Sequence, residues 1–148
     1  MLMLAHPYIK DQIHPRVRVI VADDSPQVRR DLHQLLELTG EIEVVAEAAD
    51  GQDAVCLAAA LSPNVIVMDL QMPGMDGYEA TLRIKNEVPN VRVIILSIHA
   101  GPEEQSRARA VGADHFVVKG ECYEVLVNAI RGTGEASSGS NYRKGTQT

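Results

Sequence analysis

Short runs of β-branched residues alternate with helix-like segments five times between Arg16 and about Arg131. Strands that alternate with helices form a parallel sheet covered by helices on both faces. Right-handed crossovers leave few arrangements, and the doubly wound order is the leading one. The sequence therefore predicts an α/β fold with a doubly wound, five-stranded parallel sheet of strand order 2-1-3-4-5. The predicted strands are residues 17–22, 43–48, 65–69, 91–97 and 115–118.

The ends and the apolar residues of the predicted helices are visible in the sequence. Ser25 is a suitable N-cap before Pro26, and Gly40 is a suitable C-terminal stop. Asp50 can cap the second helix, which is expected to end near Ser62. The remaining helices are expected through residues 78–84, 102–111 and 121–131. The first helix has an apolar face of Val28, Leu32, Leu35 and Leu36, and the second carries Val55, Ala58, Ala59 and Leu61.

The two ends of the chain differ from this pattern. We interpret residues 1–15 as an N-terminal arm and residues 16–131 as the folded domain. Residues 132–148 are rich in Gly, Ser and Thr, and we interpret them as a flexible tail or the start of a linker. The N-terminal residues lack the basic region and the long apolar segment of a signal peptide.

The charge and composition exclude several classes of partner. The formal net charge is −6, whereas proteins that grip nucleic acid through its phosphates are basic, so we expect no direct nucleic-acid binding by this chain. The apolar runs are much shorter than the ~20 residues that span a bilayer, so we expect no membrane insertion. Cys56 and Cys122 have no metal-binding spacing, and we expect reduced thiols in a cytoplasmic protein.

Polar residues follow four of the predicted strands at the point where each strand ends. Asp23 and Asp24 follow the first strand, Asp69 and Ser97 end the third and the fourth, and Lys119 follows the fifth. Ligand sites of open α/β sheets lie at these carboxyl ends. Clustered carboxylates repel one another, and Mg²⁺ prefers such hard oxygen ligands together with phosphate oxygens. The set therefore predicts a magnesium-dependent phosphoryl-transfer site, in which Lys119 and the metal balance the negative charge.

Each of these residues also has a plain structural interpretation. Asp24 taken alone is more often a helix N-cap, and Asp69 before a Pro-Gly turn is often an ordinary turn residue. Lys119 could be a solvated loop charge, and Ser97 a hydrogen-bonded side chain at a strand end. All four plain interpretations would have to hold at the same edge of one sheet, which we regard as the less favoured alternative.

Five stretches that cover about residues 16–131 resemble the receiver domain of two-component response regulators. They are VRVIVADDSPQVRRDLHQLL, EVVAEAADGQDAV, PNVIVMDLQMPGMDGYEA, VRVIILSIHA and AVGADHFVVKG. The phrases VMDLQMPGMDG and EVVAEAADG are most similar to receivers that precede a helix-turn-helix output domain. The resemblance implies the flavodoxin-like receiver fold, Mg²⁺ as the cofactor and Asp69 as the phospho-acceptor. It implies metal binding by Asp23, Asp24, Asp69 and the Gln71 carbonyl, stabilisation of the phosphoryl group by Ser97 and Lys119, and a switch made by Ser97 and Phe116.

The sequence departs from the family pattern near the site. Gly120 replaces the proline that often follows the lysine, so no cis peptide is expected there. Ile98 is bulkier than the small residue many members have after Ser97. Gln71 and His99 flank the site where they could shield or orient an attacking water. We expect these three residues to tune the lifetime of the phosphorylated form. A plain core ring is the less favoured alternative for Phe116.

The resemblance further implies a sensor histidine kinase or phosphotransfer protein as donor, an output partner that the sequence does not identify, and a homodimer that phosphorylation could favour. We expect a signalling switch that assists its own phosphorylation and dephosphorylation, and not an enzyme. Both a stand-alone receiver and a fragment of a DNA-binding transcriptional regulator remain open, and we favour the first. Three other classes stay as alternatives: a Mg²⁺-dependent phosphohydrolase, a flavodoxin-like nucleotide or flavin binder, and a receiver that functions without phosphorylation.

Overall fold

The computed structural model describes residues 15–132 and contains one parallel sheet of strand order β2-β1-β3-β4-β5. This order and the predicted fold class are confirmed. The strands are β1 (Val17–Ala22), β2 (Ile42–Ala48), β3 (Val65–Met68), β4 (Arg92–Ser97) and β5 (His115–Val118). The helices are α1 (Pro26–Glu37), α2 (Gly51–Leu61), α3 (Gly77–Glu87), α4 (Pro102–Ala110) and α5 (Tyr123–Arg131).

Each face of the sheet has its own apolar core. On one face, alternate side chains of the strands pack against α2, α3 and α4, represented by Ala58, Ile84 and Ala108. On the other face they pack against α1 and α5, represented by Leu36 and Ile130. Aliphatic side chains dominate both cores, as the scarcity of aromatic residues predicts. Because both faces are covered, the strand ends remain as the place where polar side chains can gather.

The helix faces depart from the prediction at two positions. Leu36 is fully buried, but Leu35 is 38% exposed, since the stripe of α1 that touches the sheet is narrower than the apolar run in the sequence. Ala59 of α2 is exposed for the same reason, whereas Ala58 beside it is buried. A methyl group buries so little area that its exposure has a small cost.

Most element ends agree with the sequence to within one or two residues. Ser25 and Asp50 cap α1 and α2 as predicted, and their side chains accept hydrogen bonds from the N–H groups of Val28 and Asp53. The helix α1 ends at Glu37, earlier than the predicted stop at Gly40. The residues between them form a turn, in which the Thr39 and Gly40 N–H groups donate to the Leu36 and Glu37 carbonyls and Gly40 has a φ of +73°. The helix α5 begins at Tyr123, two residues later than expected.

The predicted arm and tail lie outside the described residues, apart from Pro15 and Gly132 at their borders. Across residues 15–132, every helix is too short or too polar to cross a lipid bilayer. Cys56 and Cys122 are both exposed and unpaired.

Candidate phosphoryl-transfer and metal site

The ends of four strands deliver the predicted polar residues to one edge of the sheet. Asp23, Asp69 and Lys119 each follow directly on a strand, and Ser97 is the last residue of β4. The sheet ladder extends into this edge: the Asp69 N–H donates to the Ala22 carbonyl at 2.9 Å, and the Lys119 N–H donates to the Ser97 carbonyl at 2.8 Å. The backbone of the site is therefore held by the same hydrogen bonds that hold the sheet.

Three carboxylates converge at this edge. One oxygen from each of Asp23, Asp24 and Asp69 lies within 4.8 Å of the others. Asp23 is 2% exposed and Asp69 is 7% exposed, whereas Asp24 faces solvent. The plain interpretation of Asp24 as a helix N-cap is not supported, because Ser25 caps α1. Asp23 instead accepts the Ser25 N–H on Oδ1 at 2.9 Å, which fixes its carboxylate within the cluster.

Lys119 supplies the positive charge of the cluster. Its Nζ lies 2.8 Å from Oδ2 of Asp23 and 3.5 Å from Oδ1 of Asp69. Burial acts to lower the pKa of Lys119, but the hydrogen bond to Asp23 and the charges of both carboxylates outweigh it and raise the pKa above its ordinary value. The lysine is therefore a fixed cation between two buried acids and not a solvated loop charge.

The surroundings of Asp69 disfavour its ionised form. Burial, and then the charge of Asp23, raise the pKa of the Asp69 carboxyl above 3.8, although Lys119 and a hydrogen bond from the Leu70 N–H at 2.9 Å act in the opposite direction. The raised pKa of Asp69 means that Lys119 does not outweigh burial and the charge of Asp23 taken together. A further cation would lower the free energy of the fully ionised cluster.

The donor set fits Mg²⁺. The cluster offers hard carboxylate oxygens, two from buried residues and one from the exposed Asp24. Such a set suits Mg²⁺, which keeps several waters and binds through a few carboxylates. Asp23, Asp24 and Asp69 are the residues that could hold it. Gln71, predicted to contribute its carbonyl, is exposed and lines the cleft beside Asp24.

An open cleft of about 620 Å³ leads to this edge from the side of α3 and α4. Asp24, Gln71, Ser97 and His99 line it, but Ile98 does not: its side chain is 64% exposed. Ser97 is 2% exposed, and its Oγ accepts the His99 N–H at 3.1 Å, so its hydroxyl proton is available to another acceptor. The structure thus brings Gln71 and His99 to the cleft and leaves Ile98 outside it.

The geometry agrees with a family comparison. The model of the response regulator receiver domain matches residues 19–131 of the chain. The chain belongs to the response regulator receiver domain family. The matched residues include most of β1, all of β2 to β5 and the three acidic residues at the carboxyl edge of the sheet.

Individual relatives lead to the same family. The receiver is 35% identical over 122 residues to the response regulator protein VraR of Staphylococcus aureus strain Mu3, a match that covers 82% of this chain and 58% of VraR. The signal receiver domain of the putative response regulator NarL from Mycobacterium tuberculosis is similar with a TM-score of 0.78 and 34% identity, covering 82% of this chain and 98% of that one.

A third relative is a DNA-binding response regulator of the LuxR family from Staphylococcus aureus. Its structure matches with a TM-score of 0.74 and 32% identity over 79% of this chain and 98% of that chain. The receiver spans only a little over half the length of VraR, the curated relative that it matches. The DNA-binding relative agrees with the resemblance to receivers that precede a DNA-binding output domain.

Two further features of the receiver concern its switch and its loop after the lysine. Phe116 lies on β5, is partly buried, and packs against the core shared with α2, α3 and α4. This position is compatible with a switch residue and with a plain core ring alike. The described residues contain no cis peptide, and Gly120 adopts a φ of +99°.

The structure reveals contacts near the site that the sequence did not suggest. The guanidinium of Arg107 on α4 lies 4.0 Å from the ring centre of Tyr78 on α3, and both residues line the cleft. Gly77 packs so closely that an added Cβ would lie 2.1 Å from the Asp69 carbonyl oxygen. In the sequence, the pair Asp76-Gly77 indicates only a turn and does not reveal that Gly77 packs against the backbone of Asp69.

Proposed function

We propose that this receiver accepts a phosphoryl group on Asp69 from the phosphohistidine of a sensor histidine kinase or a phosphotransfer protein, with Mg²⁺ as the cofactor. The observation that carries the proposal is the position of Lys119, whose Nζ bridges Asp23 and Asp69 at 2.8 and 3.5 Å. A cation held beside the proposed phospho-acceptor can stabilise the negative charge of an incoming phosphoryl group.

The transfer begins with Asp69 as the nucleophile. A carboxylate oxygen of Asp69 attacks the phosphorus, the P–N bond of the phosphohistidine breaks, and its electron pair returns to the imidazole of the donor. The product is an acyl phosphate on Asp69. Lys119 stays within reach and pairs with a phosphoryl oxygen, and the Ser97 hydroxyl donates to another. Mg²⁺, when bound by Asp23, Asp24 and Asp69, offsets the charge of the transferring group.

Phosphorylation then biases a two-state surface. The hydrogen bond from Ser97 draws the loop after β4 toward the acyl phosphate, and Phe116 moves into the space that the loop vacates. The surface formed by α4, β5 and α5 changes shape, and an output partner reads that change. The weak attachment of α4 supports this mechanism, because Ala108 is its only fully buried side chain.

On this proposal the receiver regulates a partner and does not catalyse a reaction of an external substrate. We propose that the receiver controls an output module or a separate partner, and that its relatives of the LuxR family point to transcription as the regulated process. Direct nucleic-acid contact by the receiver itself is disfavoured by its net charge of −6. A homodimer stabilised by phosphorylation is part of the proposal.

Labelling by a small phosphodonor tests the proposed function. Acetyl phosphate with Mg²⁺ should add one phosphoryl group to the parent protein and none to Asp69→Asn. Asp31→Asn is the matched control, because Asp31 is exposed on α1 and bonds only to Gln27 in the described hydrogen-bond pattern. Undiminished labelling of Asp69→Asn would refute the assignment. Multiple turnover of a simple phosphomonoester by the parent would favour a phosphohydrolase instead.

A further inference from the structure

Arg29 on α1 links the loop that carries Asp23 and Asp24 to the neighbouring strand β2. Its Nη1 donates to the backbone carbonyl oxygen of Asp23 at 2.6 Å, and its Nε lies 3.3 Å from Oε1 of Glu47. The Arg29 side chain is 16% exposed, and its hydrogen bond to the Asp23 carbonyl is partly buried, whereas its pair with Glu47 lies at the surface. A planar guanidinium can hold two such acceptors in fixed directions at once.

Glu47 is itself held from a second side. Its Oε2 lies 2.9 Å from Nδ1 of His33, whose Nε2 lies 3.3 Å from Glu37. These surface contacts favour the orientation in which Glu47 faces Arg29. The chain of contacts runs from the surface of α1 and β2 to the backbone of a predicted metal ligand.

We propose that Arg29 is a positioning residue for the metal site: it fixes the loop between β1 and α1 so that the carboxylates of Asp23 and Asp24 are set for Mg²⁺. This inference rests on the proposed function. Arg29 touches neither the metal ligands' carboxylates nor the phosphoryl group, and it acts through the backbone of Asp23. Groups that orient metal ligands from behind commonly decide a large part of the affinity.

The direction in which Mg²⁺ affinity changes on replacing Arg29 tests the inference. A cation beside a cluster of carboxylates repels Mg²⁺, so loss of that charge would tighten metal binding if electrostatics alone mattered. Loss of the hydrogen bond loosens the loop and weakens metal binding. The two effects have opposite directions, and a neutral and a charged replacement separate them.

The experiment is a calorimetric titration of Mg²⁺ into the full chain, at one pH and one ionic strength, for the parent, Arg29→Met and Arg29→Lys. We expect Arg29→Met to weaken Mg²⁺ binding roughly tenfold, the low end of the effect of outer-shell partners. Arg29→Lys keeps the charge but not the two fixed donor directions, and it should weaken binding as well. Arg83→Met is the matched control, since Arg83 forms an exposed pair with Glu79 on α3 and should leave the affinity unchanged.

The outcomes separate the inference from the proposed function. Tighter binding by Arg29→Met with unchanged binding by Arg29→Lys would mean that only charge matters, and equal affinities of all variants would mean that Arg29 has no role; either result overturns the inference. Absence of Mg²⁺ binding by the parent would instead overturn the proposed metal site. Circular dichroism of each variant checks the fold, and if Arg29→Met is unfolded, the folded Arg29→Lys variant decides alone.

Discussion

The ammonium of Lys119 lies 2.8 Å from Oδ2 of Asp23, on a carboxylate that is also a predicted ligand of the metal. The lysine therefore does two things that oppose each other. It stabilises the metal-free cluster by offsetting the charges of Asp23 and Asp69, and its own positive charge opposes the binding of a metal cation to the same carboxylates. The balance between these effects leads to the first prediction.

Replacement of Lys119 by Met should lower the free energy of unfolding of the metal-free protein and raise its affinity for Mg²⁺. Breaking a fully buried ion pair costs several kcal/mol; because the Lys119 side chain is 23% exposed, we expect about 2 kcal/mol. Urea denaturation in the presence of a chelator measures the first effect, and calorimetry the second. A weaker affinity for Mg²⁺ in Lys119→Met would show that the lysine does not compete with the metal.

Replacement of Asp69 by Asn should stabilise the metal-free protein at neutral pH. Burial and the charge of Asp23 raise the pKa of Asp69 in the folded state, so ionisation of this carboxyl opposes folding. The unfavourable contribution is absent below the ordinary pKa of 3.8 and develops as the pH rises through the higher pKa of the folded state. We expect a gain of about 1 kcal/mol at neutral pH, typical for removal of a strained functional group.

Denaturation of Asp69→Asn and the parent over a series of pH values, with a chelator present, checks this prediction. The two stabilities should converge in acid and separate toward neutral pH. A constant difference, or a less stable variant at neutral pH, would contradict the pKa direction. Addition of Mg²⁺ should then stabilise the parent more than the variant, since the variant lacks one carboxylate of the cluster.

The lifetime of the phosphorylated form should depend on the residues that line the cleft. Removal of the imidazole in His99→Ala opens the cleft to water, and we expect hydrolysis of the acyl phosphate to accelerate more than about threefold. Ile98→Ala is measured beside it, because Ile98 is exposed and outside the cleft lining, and a rate equal to the parent's would remove Ile98 from the residues expected to tune the lifetime. Loss of label after removal of the phosphodonor gives the rates. Equal rates for the parent and both variants would remove His99 from the lifetime hypothesis.

The sequence predicted the acidic edge well because its geometry follows from the strands alone. Asp23, Asp69 and Lys119 each come directly after a strand rich in β-branched residues, and parallel strands bring their carboxyl ends together whichever helices cover the faces. Ser97 was located by the same reasoning. These residues needed no knowledge of side-chain packing.

The features that the sequence did not reveal depend on tertiary packing. In the sequence, Arg29 looks like an ordinary helix residue, whereas in the structure it contacts both Asp23 and Glu47. Arg107 contacts Tyr78 because α3 and α4 lie side by side. Leu35 is exposed because the width of the buried stripe depends on how α1 sits on the sheet. Such contacts join distant parts of the chain, and local patterns carry little information about them.

The most direct test of the central claim is to locate the acyl phosphate on the chain. The protein is incubated with acetyl phosphate and Mg²⁺ and then treated with borohydride, which reduces an aspartyl phosphate to homoserine, and the peptides are sequenced by mass spectrometry. The account predicts homoserine at position 69 alone, and none after omission of acetyl phosphate. Homoserine at position 23 or 24, or phosphate retained on Ser97 or His99 with position 69 unchanged, would contradict it.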